Sequence, residues 1–246
     1  MNQPARGAGE SQRGLQEAIK ELIVRRGLAP GSPLPTEPEL MAELSVSRHP
    51  LREAVKALQA LGIVDVRHGL GTYVGRLSFA PLEAGVAFHA RLSLRGDRRE
   101  IGDLALIREV LEVGLARQVL ARADEADLDT LEHAVAEMER AAAEGRHCPE
   151  ADRLFRETLY APLRDELVSD LLRVFWSVFD KVEAELPGAA ETPRVAAAHR
   201  DILDALRGGD ARQLTAALAG RRTGVHDRIS RVPRRHAGEG GRSIGP

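Results

Sequence analysis

Aromatic residues make up only 3% of this 246-residue chain, so its interior cannot be organised around aromatic clusters. At 43% hydrophobic residues a core must still form, and Leu, Val, Ile and Ala have to build it. That mixture favours helix. A single cysteine, Cys148, excludes an internal disulfide framework and fits a reducing compartment, so a cytoplasmic protein is expected. No apolar run approaches the ~20 residues that cross a bilayer, and residues 1–10 lack the apolar centre of a signal peptide. Excess positive charge is also missing. The formal net charge is −2, which excludes a globally basic nucleic-acid binder and requires any such surface to be local. Lysine occurs only at Lys20, Lys56 and Lys181, so arginine carries most of the positive charge.

The chain divides by pattern. Residues 1–13 are polar and read as a disordered arm, and 232–246 read as a disordered tail. Residues 14–76 form a turn-punctuated segment. Residues 77–98 read as a linker and connecting helix, and 99–231 carry long helical periods separated by Gly, Pro and Asp breaks.

In the first segment, Leu15, Ile19, Leu22 and Ile23 predict a helix from Leu15 to Arg26, ended by Gly27. Thr36-Glu37-Pro38-Glu39 has the form of a capping box and predicts a second helix from Glu37 to Leu44. Ser47 is a candidate N-cap, with Pro50 in the first turn of a third helix. That helix places Leu51, Ala54, Val55, Leu58 and Leu61 on one face and Arg48, Arg52 and Lys56 on another. Exposed arginine forks near a helix start suit guanine edges and phosphates in a major groove. Ile63 to Arg67 and Thr72 to Val74 read as two short strands joined by His68-Gly69-Leu70-Gly71, a wing whose glycines permit close approach to a backbone. A basic helix face by itself is usually just solvated. The ordered series of capped helix, short turn, basic helix and Gly-tipped hairpin is far more specific. From Val46 to Arg76, Arg48, Arg52, Lys56, Arg67 and Arg76 outweigh Glu53 and Asp65, a local net charge of +3 in a net-negative chain.

Three spaced runs, Gly27 to Glu37, Val46 to Ala54 and Gly69 to Val74, resemble the GntR family of bacterial regulators. The resemblance implies a winged helix-turn-helix, with DNA contacts at Thr36, Ser47, Arg48, His49 and Arg52 and, on the wing, at His68 and Gly69. The chain departs from the family pattern at Pro38, where an arginine is usual. One fewer base contact and an altered operator preference are expected.

In the second segment, Arg108 lies within the stripe of Leu104, Leu111 and Leu115, and Arg221 within that of Leu214, Leu218 and Val225. His199 lies beside Val195, Ile202 and Leu206. Ionisable groups on inward faces need compensation: a carboxylate such as Asp152, an anionic ligand, or water. Asp152 and Arg156, four apart with Phe155 and Leu159 flanking, are either a surface pair or part of the same cluster.

Residues Ile101 to Val225 resemble the C-terminal effector domain of FadR-type GntR regulators, an antiparallel all-α bundle. The anchors are Arg108 with Glu112, Asp152 to Phe155, Ala161 to Leu163, Phe175-Trp176 and His199 to Leu206. Many members bind a divalent metal through one Asp and three His. Here Asp152 and His199 match, but Arg156 and Arg221 stand where the other two histidines would be. Arginine stays protonated and donates no lone pair to a metal. No metal or other cofactor is therefore expected. The effector-site candidates are Arg108, Asp152, Arg156, His199 and Arg221, with the guanidinium groups clamping a small carboxylate or phosphate.

The expectation is a mainly α protein: a winged helix-turn-helix with a small hairpin, then a helical effector and dimerisation domain. It would act as a homodimeric, non-enzymatic, ligand-responsive repressor on a palindromic double-stranded operator, with no membrane association. One alternative is a regulator whose helical domain is closed by internal salt bridges and takes no ligand. Others are a helical-bundle enzyme fused to a DNA domain, for which no phosphate loop or nucleophile elbow is present, and an architectural DNA-binding protein.

Overall fold

The computed structural model describes residues 6–185 and 192–220, which fall into two compact units dividing between Leu82 and Glu83. The expected tail at 232–246, and Arg221 and Val225, lie outside the described residues.

The first unit opens with α1 (Arg6–Arg25). It starts nine residues before the expected Leu15, so residues 6–13 of the segment read as a disordered arm belong to this helix. Apolar periodicity begins only at Leu15, and the turns before it, a run of small and polar residues, carry no apolar stripe in the sequence. The Gln12 amide donates to the Pro50 carbonyl at 3.4 Å and ties the extension to the third helix. Leu15, Ile19, Leu22 and Ile23 are buried, and Gly27 follows α1 at φ +61°.

Next come α2 (Glu37–Leu44) and α3 (Arg48–Ala60). The Glu39 carboxylate accepts from the Thr36 amide and hydroxyl, both at 2.7 Å, which closes the start of α2 and holds its carboxyl below the usual range. Ser45 at φ +52° makes the tight turn between them. Leu40, Leu51, Ala54 and Leu58 pack on the α1 face. The wing is β1 (Val64–Arg67) paired antiparallel with β2 (Gly71–Val74), Val64 opposite Val74 and Arg67 opposite Gly71. The extended run after Pro30 lies along the other edge of β2, through Leu34 N–H to Thr72 O and Val74 N–H to Ser32 O, both 2.8 Å. Gly75 is required by contact: a Cβ there would sit 2.1 Å from the Gly62 carbonyl oxygen.

The second unit contains only helices among the described residues: α4 (Ala80–Leu94, entering from the first unit), α5 (Arg99–Arg122), α6 (Glu125–Ala143), α7 (Pro149–Tyr160), a 3-10 turn at Ala161–Leu163, α8 (Glu166–Glu183), α9 (Thr192–Arg207) and α10 (211–220). None of the described helices is long and apolar enough to cross a membrane. Asp124 caps α6 by accepting from the Asp127 amide at 2.9 Å. Leu131, Val135 and Met138 of α6 meet Phe155 and Leu159 of α7, Leu172 and Trp176 of α8, and Ile202, Leu206, Leu214 and Leu218 in one core.

Polar ties run between the helices. Glu83 accepts from Lys181 and Ser177, both at 2.6 Å, and these bonds, Lys181 foremost, hold its carboxyl below the usual range. Arg200 reaches Glu132 at 2.7 Å and Glu139 at 2.9 Å, linking α9 to α6, and its charge is reinforced in return. The buried face of α5 is Ile101, Ala105, Glu112, Ala116 and Val119, whereas Leu104, Leu111 and Leu115 are only partly buried. Apolar residues surround so much of this helix that its sequence does not choose one inward face.

Candidate nucleic-acid interface and buried charge cluster

Thr36, Ser47, Arg48, His49 and Arg52 lie at the starts of α2 and α3, and His68 and Gly69 at the wing tip, all exposed. Capping explains their position: Thr36 and Ser47 both end extended segments, at ψ 159° and 166°, and hand the chain into helices whose first turns stay open. Such turns present unpaired N–H groups and positive dipole ends to phosphate. Pro38 sits in the first turn of α2, where it costs no hydrogen bond and where its ring carries no donor or acceptor.

Glu37 is the residue that periodicity misses. Arg48 Nε approaches one of its oxygens at 2.8 Å and Arg52 Nε the other at 3.0 Å. One carboxylate from α2 thus aligns the two arginines of α3. Both arginines remain more than half exposed, so this bridge is weak and readily exchanged for phosphate or base oxygens. On the wing, Arg67 stacks 4.1 Å over the Tyr73 ring and pairs with Asp65 at 2.9 Å.

The second unit treats its arginines differently. Arg108 donates to Glu112 Oε1 at 3.0 Å, and the Trp176 indole N–H donates to the same oxygen at 3.0 Å. Burial opposes the charge on Arg108, but the charge and hydrogen bond of Glu112 outweigh it and hold the guanidinium above its usual pKa. The spacing of Arg108 and Glu112 on one helix could have revealed this pair as a buried ion pair. Trp176, from α8, carried no such signal.

Arg156, 6% exposed, contacts Asp152 at 2.8 Å and Asp180 at 3.2 Å, and its guanidinium lies 5.6 Å from the Trp176 ring centroid. His199 Nε2 lies 2.8 Å from the other Asp152 oxygen, its Nδ1 meets the Val195 carbonyl at 2.7 Å, and its ring packs edge-on to Phe155. Three sequence candidates, Asp152, Arg156 and His199, therefore meet directly around one carboxylate. Arg108 belongs to the neighbouring Glu112–Trp176 group. Arg221 lies outside the described residues. Asp180 carried no signal in the sequence, because it lies on α8 and meets Arg156 only through packing.

A divalent ion does not fit this donor set. Asp152 and His199 are suitable ligands, and the carbonyl behind Nδ1 is the usual orienting partner of a metal-bound imidazole. The third group facing Asp152 is a guanidinium, which repels a cation and has no lone pair to offer. Among the described residues no group of three His, Cys, Asp or Glu is arranged to hold a metal.

A capped helix-turn-helix, basic first turns and a Gly-tipped hairpin, joined in one chain to a helical unit with a buried polar cluster, define a winged-helix DNA-binding regulator with a separate helical control domain. Residues 12–74 match the model of the bacterial regulatory proteins of the gntR family, and residues 103–220 match the FCD domain. The chain belongs to the GntR family of transcriptional regulators, in its FCD-containing branch. It is 28% identical over 215 residues to the HTH-type transcriptional regulator LutR of Bacillus subtilis, covering 85% of this chain and 96% of that one. It is likewise 28% identical over 201 residues to the galactonate operon transcriptional repressor of Escherichia coli, covering 79% and 86%. Among solved structures it is similar to a Streptococcus agalactiae GntR protein, with TM-score 0.55 and 26% identity over 89% of this chain and 99% of that one.

Proposed function

We propose that this regulator is a non-catalytic repressor that binds a palindromic operator as a dimer and is released by a small anionic metabolite bound without metal in the second unit. The observation that carries the effector reading is the Arg156 arrangement. Asp152 holds the guanidinium from inside, while Asp180, 59% exposed, holds it at 3.2 Å from outside. Asp180 is the displaceable arm. An incoming carboxylate or phosphate takes its place on the guanidinium fork with two parallel hydrogen bonds. Such a ligand acts only through its difference in affinity between the two states of the protein. The repressor role is supported by the name of the galactonate operon relative. The DNA contacts are assigned to Thr36, Ser47, Arg48, His49, Arg52, His68 and Gly69.

A second reading has an observation of its own: Arg108 and Arg156 are both already paired with acids, which also suits a closed domain that takes no ligand. A thermal-shift screen of small organic acids, sugar acids and phosphates, with and without divalent metal, separates the two. Stabilisation by an anion in the presence of chelator, absent in Arg156→Ala and Arg108→Ala while both variants still bind operator DNA, supports the effector reading. No anion response in the wild-type chain leaves the closed domain. One tightly bound divalent ion per chain in metal analysis overturns the metal-free site.

A further inference from the structure

We propose that the exposed face of α5, centred on Val110, is the surface on which two copies of this chain pair antiparallel. Leu106, Ile107 and Val110 are 49%, 48% and 62% exposed, although α5 buries Ile101, Ala105, Ala116 and Val119 on its other side. A helix that is apolar on two faces has two partners to find, and the described residues supply only one.

The sequence of the exposed face indicates what the second partner is. Residues equally far on either side of Val110 are complementary. Asp103 lies seven residues before it and Arg117 seven after, both exposed, and neither has an ion-pair partner among the described residues. Leu106 lies four before and Gly114 four after; Ile107 lies three before and Val113 three after. On an α-helix all these positions fall within about 60° of the Val110 direction. A two-fold axis at Val110, perpendicular to both helices, therefore sets Asp103 of one copy against Arg117 of the other, twice, seats each Ile107 over a Gly114, and brings each Leu106 against a Val113. This is an isologous surface, self-complementary by its own order.

Gly114 adds an independent indication. A Cβ at this position would meet nothing within 4 Å among the described residues, so none of them requires a glycine there. Glycine is the least favourable helix residue after proline, and close approach of a second helix backbone explains its presence. A partner of unrelated sequence would not call for this mirrored arrangement.

The proposal rests on the dimeric reading above and adds the location of the interface. The test is sedimentation velocity on the full chain across a concentration series. Wild type is expected to dimerise, and Val110→Arg to raise the dissociation constant at least about 100-fold, because each substitution meets its own copy at the centre of the interface. Asp103→Arg and Arg117→Asp should each weaken pairing about tenfold, and the double variant should return to within about threefold of wild type, because the two rim charges are exchanged. All three substituted positions are exposed, and circular dichroism checks that helix content is unchanged. Dimerisation of Val110→Arg at wild-type concentrations, or no recovery in the double variant, overturns the interface alone. A wild-type chain that stays monomeric at every concentration overturns the dimeric reading with it.

Discussion

Arginine does opposite work in the two units. In the first, Arg48 and Arg52 stand 64% and 59% exposed at the start of α3, bridged by the single carboxylate of Glu37. In the second, Arg108 and Arg156 are 11% and 6% exposed, each held by acids, with the Trp176 indole donating to the carboxylate that holds Arg108. Exposed pairs are worth ~0–1 kcal/mol and can be traded for another anion. A buried pair carries a large desolvation cost, so removing one member strands the other. The reader thus keeps its cations available, and the control domain uses its cations as structure, with Asp180 on Arg156 as the most solvent-exposed of the buried-arginine contacts.

The largest expected effect comes from breaking the buried side of this contrast. Glu112→Ala leaves Arg108 and the Trp176 indole without their shared acceptor, and should lower stability by about 3–5 kcal/mol. Calorimetry should show the loss in the helical unit, with operator contacts by the winged unit retained at low temperature. A transition shifted by less than a degree would mean that Glu112 does not hold this core together.

Next in size are the exposed arginines. Arg48→Ala or Arg52→Ala should each cost about 1–3 kcal/mol of discrimination, roughly 5–150-fold in specific operator affinity, with unchanged thermal unfolding. Fluorescence anisotropy on operator and scrambled duplexes reads both. Intact specificity in both variants would contradict α3 as the reading helix.

Glu37→Gln sharpens the comparison at its hinge. Freed from the carboxylate, both arginines should engage phosphate more readily. Affinity for scrambled DNA should rise by about threefold to tenfold, with little change in stability. An unchanged non-specific affinity would show that the bridge does not compete with DNA.

The smallest effect is acid sensitivity. The Glu83 carboxyl is held below its usual range by Lys181 and Ser177, and Glu132 by Arg200 and Arg207. A lowered folded pKa contributes stability above the unfolded value, near ~4.3, and loses it as pH falls through the folded value. The melting temperature should therefore hold above about pH 5 and fall below about pH 4. Glu83→Gln should flatten part of that fall, and an unaltered profile would remove the α4–α8 tie from its causes.

Much of the first unit was legible in the chain itself. The bounds expected for α2, Glu37 to Leu44, are those found, because a capping box, a first-turn proline and a tight turn are local instructions. The start of α1 was not legible: residues 6–13 are small and polar and print no apolar period. Nor was the inward face of α5, because a helix apolar nearly all round gives no angular preference.

What the sequence alone determined is the local chemistry. Caps, turns, the glycine-tipped hairpin and the exposed arginine spacing depend on neighbours a few residues away, and they define the class of protein. Tertiary structure decided which charges meet. Asp180 reaching Arg156 from another helix, Trp176 sharing Glu112 with Arg108, and Glu37 bridging Arg48 and Arg52 all join residues 11 to 64 positions apart. Whether an arginine is a free cation or a structural one depends on burial and on the acid packed against it, and those follow from how helices pack rather than from the order of residues along any one of them.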